Sequence, residues 1–168
     1  MMKIQKRKVP SDSMLQSFLP VDYTDSFCCI SDKKINSTPE DIMVRFWTDM
    51  PGWVYALFTF RNLLVKIVGL QGSSNDDSAL QLENCIRKGG VYRFIEIVAR
   101  NQNEIILVMR DKHLDAYISV QIKGKRCVYA STLVKYNNTL GKVYFFFIRP
   151  FHNLVVYFTL KRTMQRTK

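Results

Sequence analysis

An α+β fold is predicted, in which a curved antiparallel sheet wraps a long carboxy-terminal helix and two helices follow the first strand. Three observations predict it. Residues 91–136 have a period of two, broken by turn-like clusters at Asn101-Gln102-Asn103 and Lys123-Gly124-Lys125. Val143 to Leu160 is an apolar run of helical length that follows the turn at residues 137–141. Between residues 38 and 70, helix-start chemistry and apolar spacings of three and four replace the strand pattern.

The elements follow in order. Residues 21–30 are β-rich and turn-bounded, with Tyr23, Phe27 and Ile30 as packing residues of a first strand. Thr38 can cap free amides, Pro39 suits a first helical position, and Glu40 and Asp41 sit at the positive end of the dipole. That helix should end near Met50, before Pro51-Gly52. Trp53, Leu57, Phe60, Leu64 and Ile67 then form one stripe of a second helix that stops at Gly69. Residues 71–90 read as a long polar surface loop, with room for a short helix at 79–86. The meander has strands at about 91–99, 105–110, 113–122 and 127–136. In the third of these, Leu114, Ala116, Ile118, Val120 and Ile122 share a core face, and His113, Asp115, Tyr117, Ser119 and Gln121 share a wetter one. The last helix is expected over about residues 142–163, where Pro150 deprives Phe146 of a backbone bond and predicts a kink or break.

The chain has 168 residues, which suits one domain over residues 1–168. Its 25 basic and 14 acidic side chains give a net charge of +11. Four basic residues lie in the first ten positions and four in the last eight, so residues 11–160 carry 17 basic against 14 acidic groups. The basic excess therefore reads as an amino-terminal tail at 1–19 and a carboxy-terminal tail at 161–168, with no specific nucleic-acid site. No apolar stretch follows the first charges to make a signal-peptide core, so a cytoplasmic location is expected. Cys28, Cys29, Cys85 and Cys127 contain no Cys-x-x-Cys pair and, with two histidines, no zinc set at the usual spacing, so reduced thiols are expected. Residues 53–70 and 143–160 have the length of a bilayer-crossing helix, but Arg61 and Lys66 interrupt the first and Arg149, Pro150 and His152 the second. No transmembrane segment is expected, and both read as buried helices.

Five phrases in this order carry a family resemblance: Asp22-Tyr23-Thr24-Asp25-Ser26-Phe27; Pro51-Gly52-Trp53 leading to Arg61-Asn62 and Gly69-Leu70; Asp111-Lys112-His113-Leu114-Asp115; Gly141-Lys142-Val143-Tyr144; and Ile148-Arg149-Pro150-Phe151-His152. The chain resembles a bacterial domain-of-unknown-function family that is similar to the START-like (SRPBCC, helix-grip) superfamily, over roughly residues 20–160. The resemblance implies a helix-grip-like fold holding an apolar ligand between sheet and last helix. It also implies kinship with domains found behind a nucleotide-binding, epimerase-like partner. The chain has no Gly-x-Gly-x-x-Gly, and no cofactor is expected.

Candidate ligand-binding residues are Trp53, Leu57 and Phe60, with Ile118 opposite and Tyr144 from the last helix, as the apolar lining. Arg61 interrupts an apolar helix and must either snorkel to the surface or pair with an acid such as Asp25 or Asp115. Arg149 and His152, three apart around Pro150, can share a helix face and meet a carboxylate or an anionic ligand group. His113 and Asp115 have acid–base residue types, but strand spacing of about 6.5 Å per two residues argues against one metal ion held by Asp111, His113 and Asp115. No catalytic residue and no metal ligand is assigned. The leading expectation is a small cytoplasmic protein that binds an apolar or amphipathic molecule between sheet and carboxy-terminal helix. The alternatives are an accessory domain for an oxidoreductase or epimerase-like partner, an enzyme using His113, Asp115 and His152, a homodimer formed through Tyr92, Phe94 and Tyr117, and weak membrane-surface binding through Lys161, Arg162 and Arg166.

Overall fold

The period-two segments pair into one seven-stranded antiparallel sheet. The computed structural model describes residues 2–57 and 77–167. Its strands are β1 (Met2–Arg7), β2 (Tyr23–Ser31), β3 (Val91–Tyr92), β4 (Ile95–Arg100), β5 (Glu104–Arg110), β6 (Leu114–Lys123) and β7 (Cys127–Tyr136), in spatial order β1-β2-β7-β6-β5-β4-β3. Its long helices are α1 (Pro39–Thr48), α2 (Asp77–Lys88) and α3 (Thr139–Arg166). Residues 52–57 are also helical. An extra residue, Val98, bulges β4 against β5 and bends the sheet there. The architecture is the expected α+β, helix-grip-like arrangement.

Alternation sorts each strand into two faces. Toward the helices, Phe27 and Cys29, Ile105 and Leu107, Ile118 and Val120, and Val128 and Ala130 meet Ile42, Met43 and Phe46 of α1, Ile86 of α2, and Val156, Leu160 and Met164 of α3. The capping box predicted at Thr38 forms with Asp41, and Pro39 occupies the first helical turn. The other face is not simply wet. Residues 8–21 cross it, and Leu15 of the 3-10 turn Met14–Phe18 packs with Ile106 and Leu133. Beneath this strap Glu104 is only 1% exposed. It accepts hydrogen bonds from Ser13 Oγ at 2.5 Å, Ser119 Oγ at 2.5 Å and the Met14 amide at 2.7 Å. Ser119 on this side of β6 is thus buried by satisfying one carboxylate rather than by facing solvent.

Four expectations need correction. The amino-terminal segment read as a tail forms strand β1 at residues 2–7, because Met2 and Ile4 alternate toward the helix-side core, with Lys6 laid over the Phe27 ring at the edge of that side and Lys3 and Arg7 on the other. At the other end α3 runs through Arg166, and Arg162 and Arg166 both reach Asp49, at 3.0 and 2.8 Å. The short helix allowed for at 79–86 in the surface loop is the longer, twelve-residue α2, which is part of the core, since its Ile86 is fully buried. The first meander strand is two strands: Tyr92 pairs with Ile95 across a tight hairpin of Arg93 and Phe94. Residues 52–57 are helical as expected, but Val54 is buried there and Trp53 of the expected stripe is exposed, while Phe60, Arg61, Leu64, Ile67 and the stop at Gly69 lie outside the described residues.

The last helix also differs from expectation. It is a single helix of 28 residues through Pro150, and only 22% of its most apolar 18-residue window is buried. By length and composition alone it could cross a membrane. Its inner side, with Gly141, Phe145, Val156, Leu160 and Met164, is packed on the sheet, so it is a covering helix with an open outer side.

Candidate functional site

Two places concentrate chemistry. The first lies where β2 meets the middle of α3. Strand alternation turns Tyr23 and Asp25 toward α3, and the helix brings His152 over them. Tyr23 Oη donates to Asp25 Oδ2 at 2.8 Å, with the Asn153 side chain 3.2 Å from the same hydroxyl. His152 Nε2 is 3.2 Å from Asp25 Oδ2. The Arg149 guanidinium stacks 5.0 Å from the centre of the Tyr23 ring, and Phe145 walls the group from the other side. Burial, then the Asp25 charge, pushes the Tyr23 phenol far above its ordinary range, so it acts as a fixed donor. The predicted meeting of His152 with a carboxylate is therefore internal: this group braces α3 to β2.

His113 and Asp115 do not join it. His113 sits at the start of α3, where its Nδ1 faces Asn138, the residue that caps the helix. Asp115 is paired with Arg110 at 3.7 Å and accepts from Asn137 Nδ2 at 3.2 Å. Strand alternation puts Asp115 with Tyr117 on the strap side, opposite to His152. An enzyme site combining His113, Asp115 and His152 would need both faces of the sheet, so this geometry does not make one. Ile118 is core, Trp53 stacks edge-on to Phe158, and Leu57 and Tyr144 are half-buried.

The second place is a pocket of about 220 Å³ between α1, helical residues 52–57, α2 and the β3–β4 hairpin. Trp47, Tyr55, Leu82, Tyr92 and Phe94 form its apolar walls, and Arg93 stands at it with its guanidinium 5.3 Å from the Tyr92 ring centre. Two of its wall residues carry a buried donor with no hydrogen-bond partner: Trp47 Nε1 and Tyr92 Oη. Each such orphan costs about 1–3 kcal/mol in a folded protein. Arg93 adds strain, since its φ of 57° is a left-handed conformation that branched-at-nothing glycine adopts far more easily. Neither Asp nor Glu is among the described residues lining the pocket. The arrangement puts one cation beside an aromatic cup, which suits an anionic group attached to a short apolar body.

None of the expected site residues that are described lines this pocket, and the residues that do were legible only as types. Tyr92 and Phe94 were expected on one outer patch with Tyr117. Instead Tyr117 lies against Phe18 under the strap, 4.7 Å between ring centres, and the other two face the pocket. Gly89-Gly90 marks the end of α2 ahead of Tyr92, yet no sequence signal brings Trp47 beside the hairpin.

A model of the family described as protein of unknown function (DUF2867) matches residues 18–159, most of the chain. The chain belongs to this family. No curated protein and no solved structure matches it. In this DUF2867 protein the matched span includes both the brace and the pocket, and leaves out strand β1.

The four cysteines are free. Cys29 faces the helix-side core, and burial pushes its thiol up to about 12. Burial raises Cys28 and Cys85 as well. Because a raised pKa leaves little thiolate, alkylation of the native protein near about pH 8 should modify half-buried Cys127 first and spare these three. Mass spectrometry of the alkylated chain checks this; equal modification of Cys29 and Cys127 would contradict it.

Proposed function

We propose that this DUF2867 protein is a small cytoplasmic binding protein for a short amphipathic molecule with an anionic or strongly accepting head, such as a short-chain carboxylate. The observation that carries the reading is the coincidence of two orphaned buried donors, Trp47 Nε1 and Tyr92 Oη, with Arg93 at one aromatic pocket. A carboxylate there would pair with Arg93, and a small turn of the Trp47 or Tyr92 side chain would let it also accept from a donor that otherwise bears an unmet desolvation cost. The volume limits the body. The pocket volume is about 220 Å³. It is below the usual size of drug-like sites, about 300–1,000 Å³, so a compact molecule fits better than a long lipid.

Kinship with the START-like superfamily is part of this reading. Its support is the helix-grip-like sheet and α3, with one difference in use: the pocket lies beside α1 and α2 rather than beneath α3. Native mass spectrometry of freshly purified protein tests the reading. The expected spectrum shows an extra mass that denaturation removes, and that is lost in the W47F/Y92F double variant. Retention of the same mass by that variant would place the ligand elsewhere and overturn the assignment.

A further inference from the structure

Cys28 and Cys127 form a pair that neither the pocket nor the helix-side core uses. Phe27, Cys29, Val128 and Ala130 point into that core, so alternation puts Cys28, Ile30, Cys127 and Tyr129 on the opposite side of the sheet. There Cys28 is paired with Tyr129 and Ile30 with Cys127, which makes the two cysteines diagonal neighbours on adjacent antiparallel strands. Their surroundings differ. Cys28 is 2% exposed, whereas Cys127 is half-buried where β7 begins, after the exposed Lys125 and Arg126 and opposite Ile30, itself 36% exposed. Burial pushes the Cys28 thiol up, while the Tyr129 hydroxyl and the Arg7 cation act in the opposite sense. Cys29 faces the other side of the sheet, and the buried Cys85 belongs to α2.

We propose that Cys28 and Cys127 are a peroxide-sensitive modification site, a dithiol that closes reversibly into a disulfide across β2 and β7. Cys127 is the sulfur that an oxidant can reach. Its thiolate attacks hydrogen peroxide, the O–O bond breaks, and a sulfenic acid forms with release of hydroxide. The Cys28 sulfur then attacks the Cys127 sulfur, the S–O bond breaks, and the Cys28 proton leaves with the hydroxyl group as water. In balance, two thiols lose two electrons and two protons, and one peroxide becomes two waters. The diagonal placement favours a labile bond. Diagonal Cα atoms on antiparallel strands stand about 7–8 Å apart, and a relaxed disulfide spans about 4.4–6.8 Å. Closure therefore draws the start of β7 toward β2 and leaves a bond that thiols reduce readily.

The test treats the reduced full chain with hydrogen peroxide, removes the oxidant with catalase, blocks free thiols with N-ethylmaleimide in denaturant, and reads the mass. The untreated chain takes up four adducts, one for each free cysteine. The oxidised chain should lose two of them and keep those on Cys29 and Cys85, with Cys28 and Cys127 joined in one peptide pair that dithiothreitol separates. Cys29→Ser should form the same link. Cys28→Ser should form none and should carry Cys127 on to sulfinic or sulfonic acid, because nothing then resolves its sulfenic acid. Four free thiols after peroxide, a link between Cys28 and Cys29, disulfide dimers through Cys127, or irreversible oxidation of Cys127 in the wild type would each overturn the proposal.

Discussion

Replacing Glu104 by alanine should destabilise the protein by about 3 kcal/mol. The carboxylate is the single acceptor for two serine hydroxyls and the Met14 amide beneath the strap. The hydroxyls can turn to other acceptors, but the amide is fixed by the backbone and would be left buried without a partner. The loss is therefore more than one ordinary hydrogen bond, and it acts on the attachment of residues 8–21 to the back of the sheet. Urea unfolding checks this: the midpoint falls while its slope stays the same. Glu104→Gln should cost less, about 1–2 kcal/mol, because one oxygen remains to accept while the amide now opposes a donor. An alanine variant as stable as the wild type would mean that the strap is held by Leu15 alone.

Gly141→Ala should have an effect of similar size by a different cause. A Cβ at Gly141 would lie 1.9 Å from the carbonyl oxygen of His113 and 2.7 Å from its carbonyl carbon. That oxygen accepts from the Asn137 amide, so the turn cannot withdraw without losing its own bond. Either the first turn of α3 moves off the β6 entry or the helix shortens. Overpacking of backbone against backbone puts the cost at about 3 kcal/mol. Gly52→Ala is the matched control, since an added Cβ there meets nothing within 4 Å. It should be neutral or slightly stabilising, by up to about 1 kcal/mol. Thermal unfolding of the two variants side by side separates steric conflict from glycine's general effects.

Much of the sheet was legible because its signals are local. Alternation in Leu114–Ile122, the turn chemistry at Gly124 and the cap at Thr38 each depend on neighbours a few residues away, and each appears where it was expected. The strand at residues 2–7 was hidden by its charge: edge strands carry lysines to discourage further pairing, and a short lysine-rich strand reads like a solvated tail. The strap was hidden because its anchor, Glu104, lies some ninety residues from Ser13 and Met14. His152 was expected to meet a carboxylate or an anionic ligand group, and that its neighbour is Asp25 follows only from the placement of β2 under α3. The pocket was illegible for the same reason. Its walls come from residues 47–55, 79–82 and 92–95, and only tertiary packing gathers them. The apolarity of the last helix was plain, but periodicity alone could not say that its outer side stays uncovered.

The most direct test of the binding account is a calorimetric titration of hexanoate into the wild type, Y92F and R93G. A ligand of this size should bind with a dissociation constant roughly between micromolar and millimolar. Y92F removes one donor from the pocket and should weaken binding about tenfold. R93G removes the cation and also relieves the left-handed strain at φ 57°, so it should weaken binding about tenfold while the melting temperature holds or rises. Loss of affinity without loss of stability is the result the account predicts. No heat of binding in the wild type, or equal affinity in all three proteins, would contradict it.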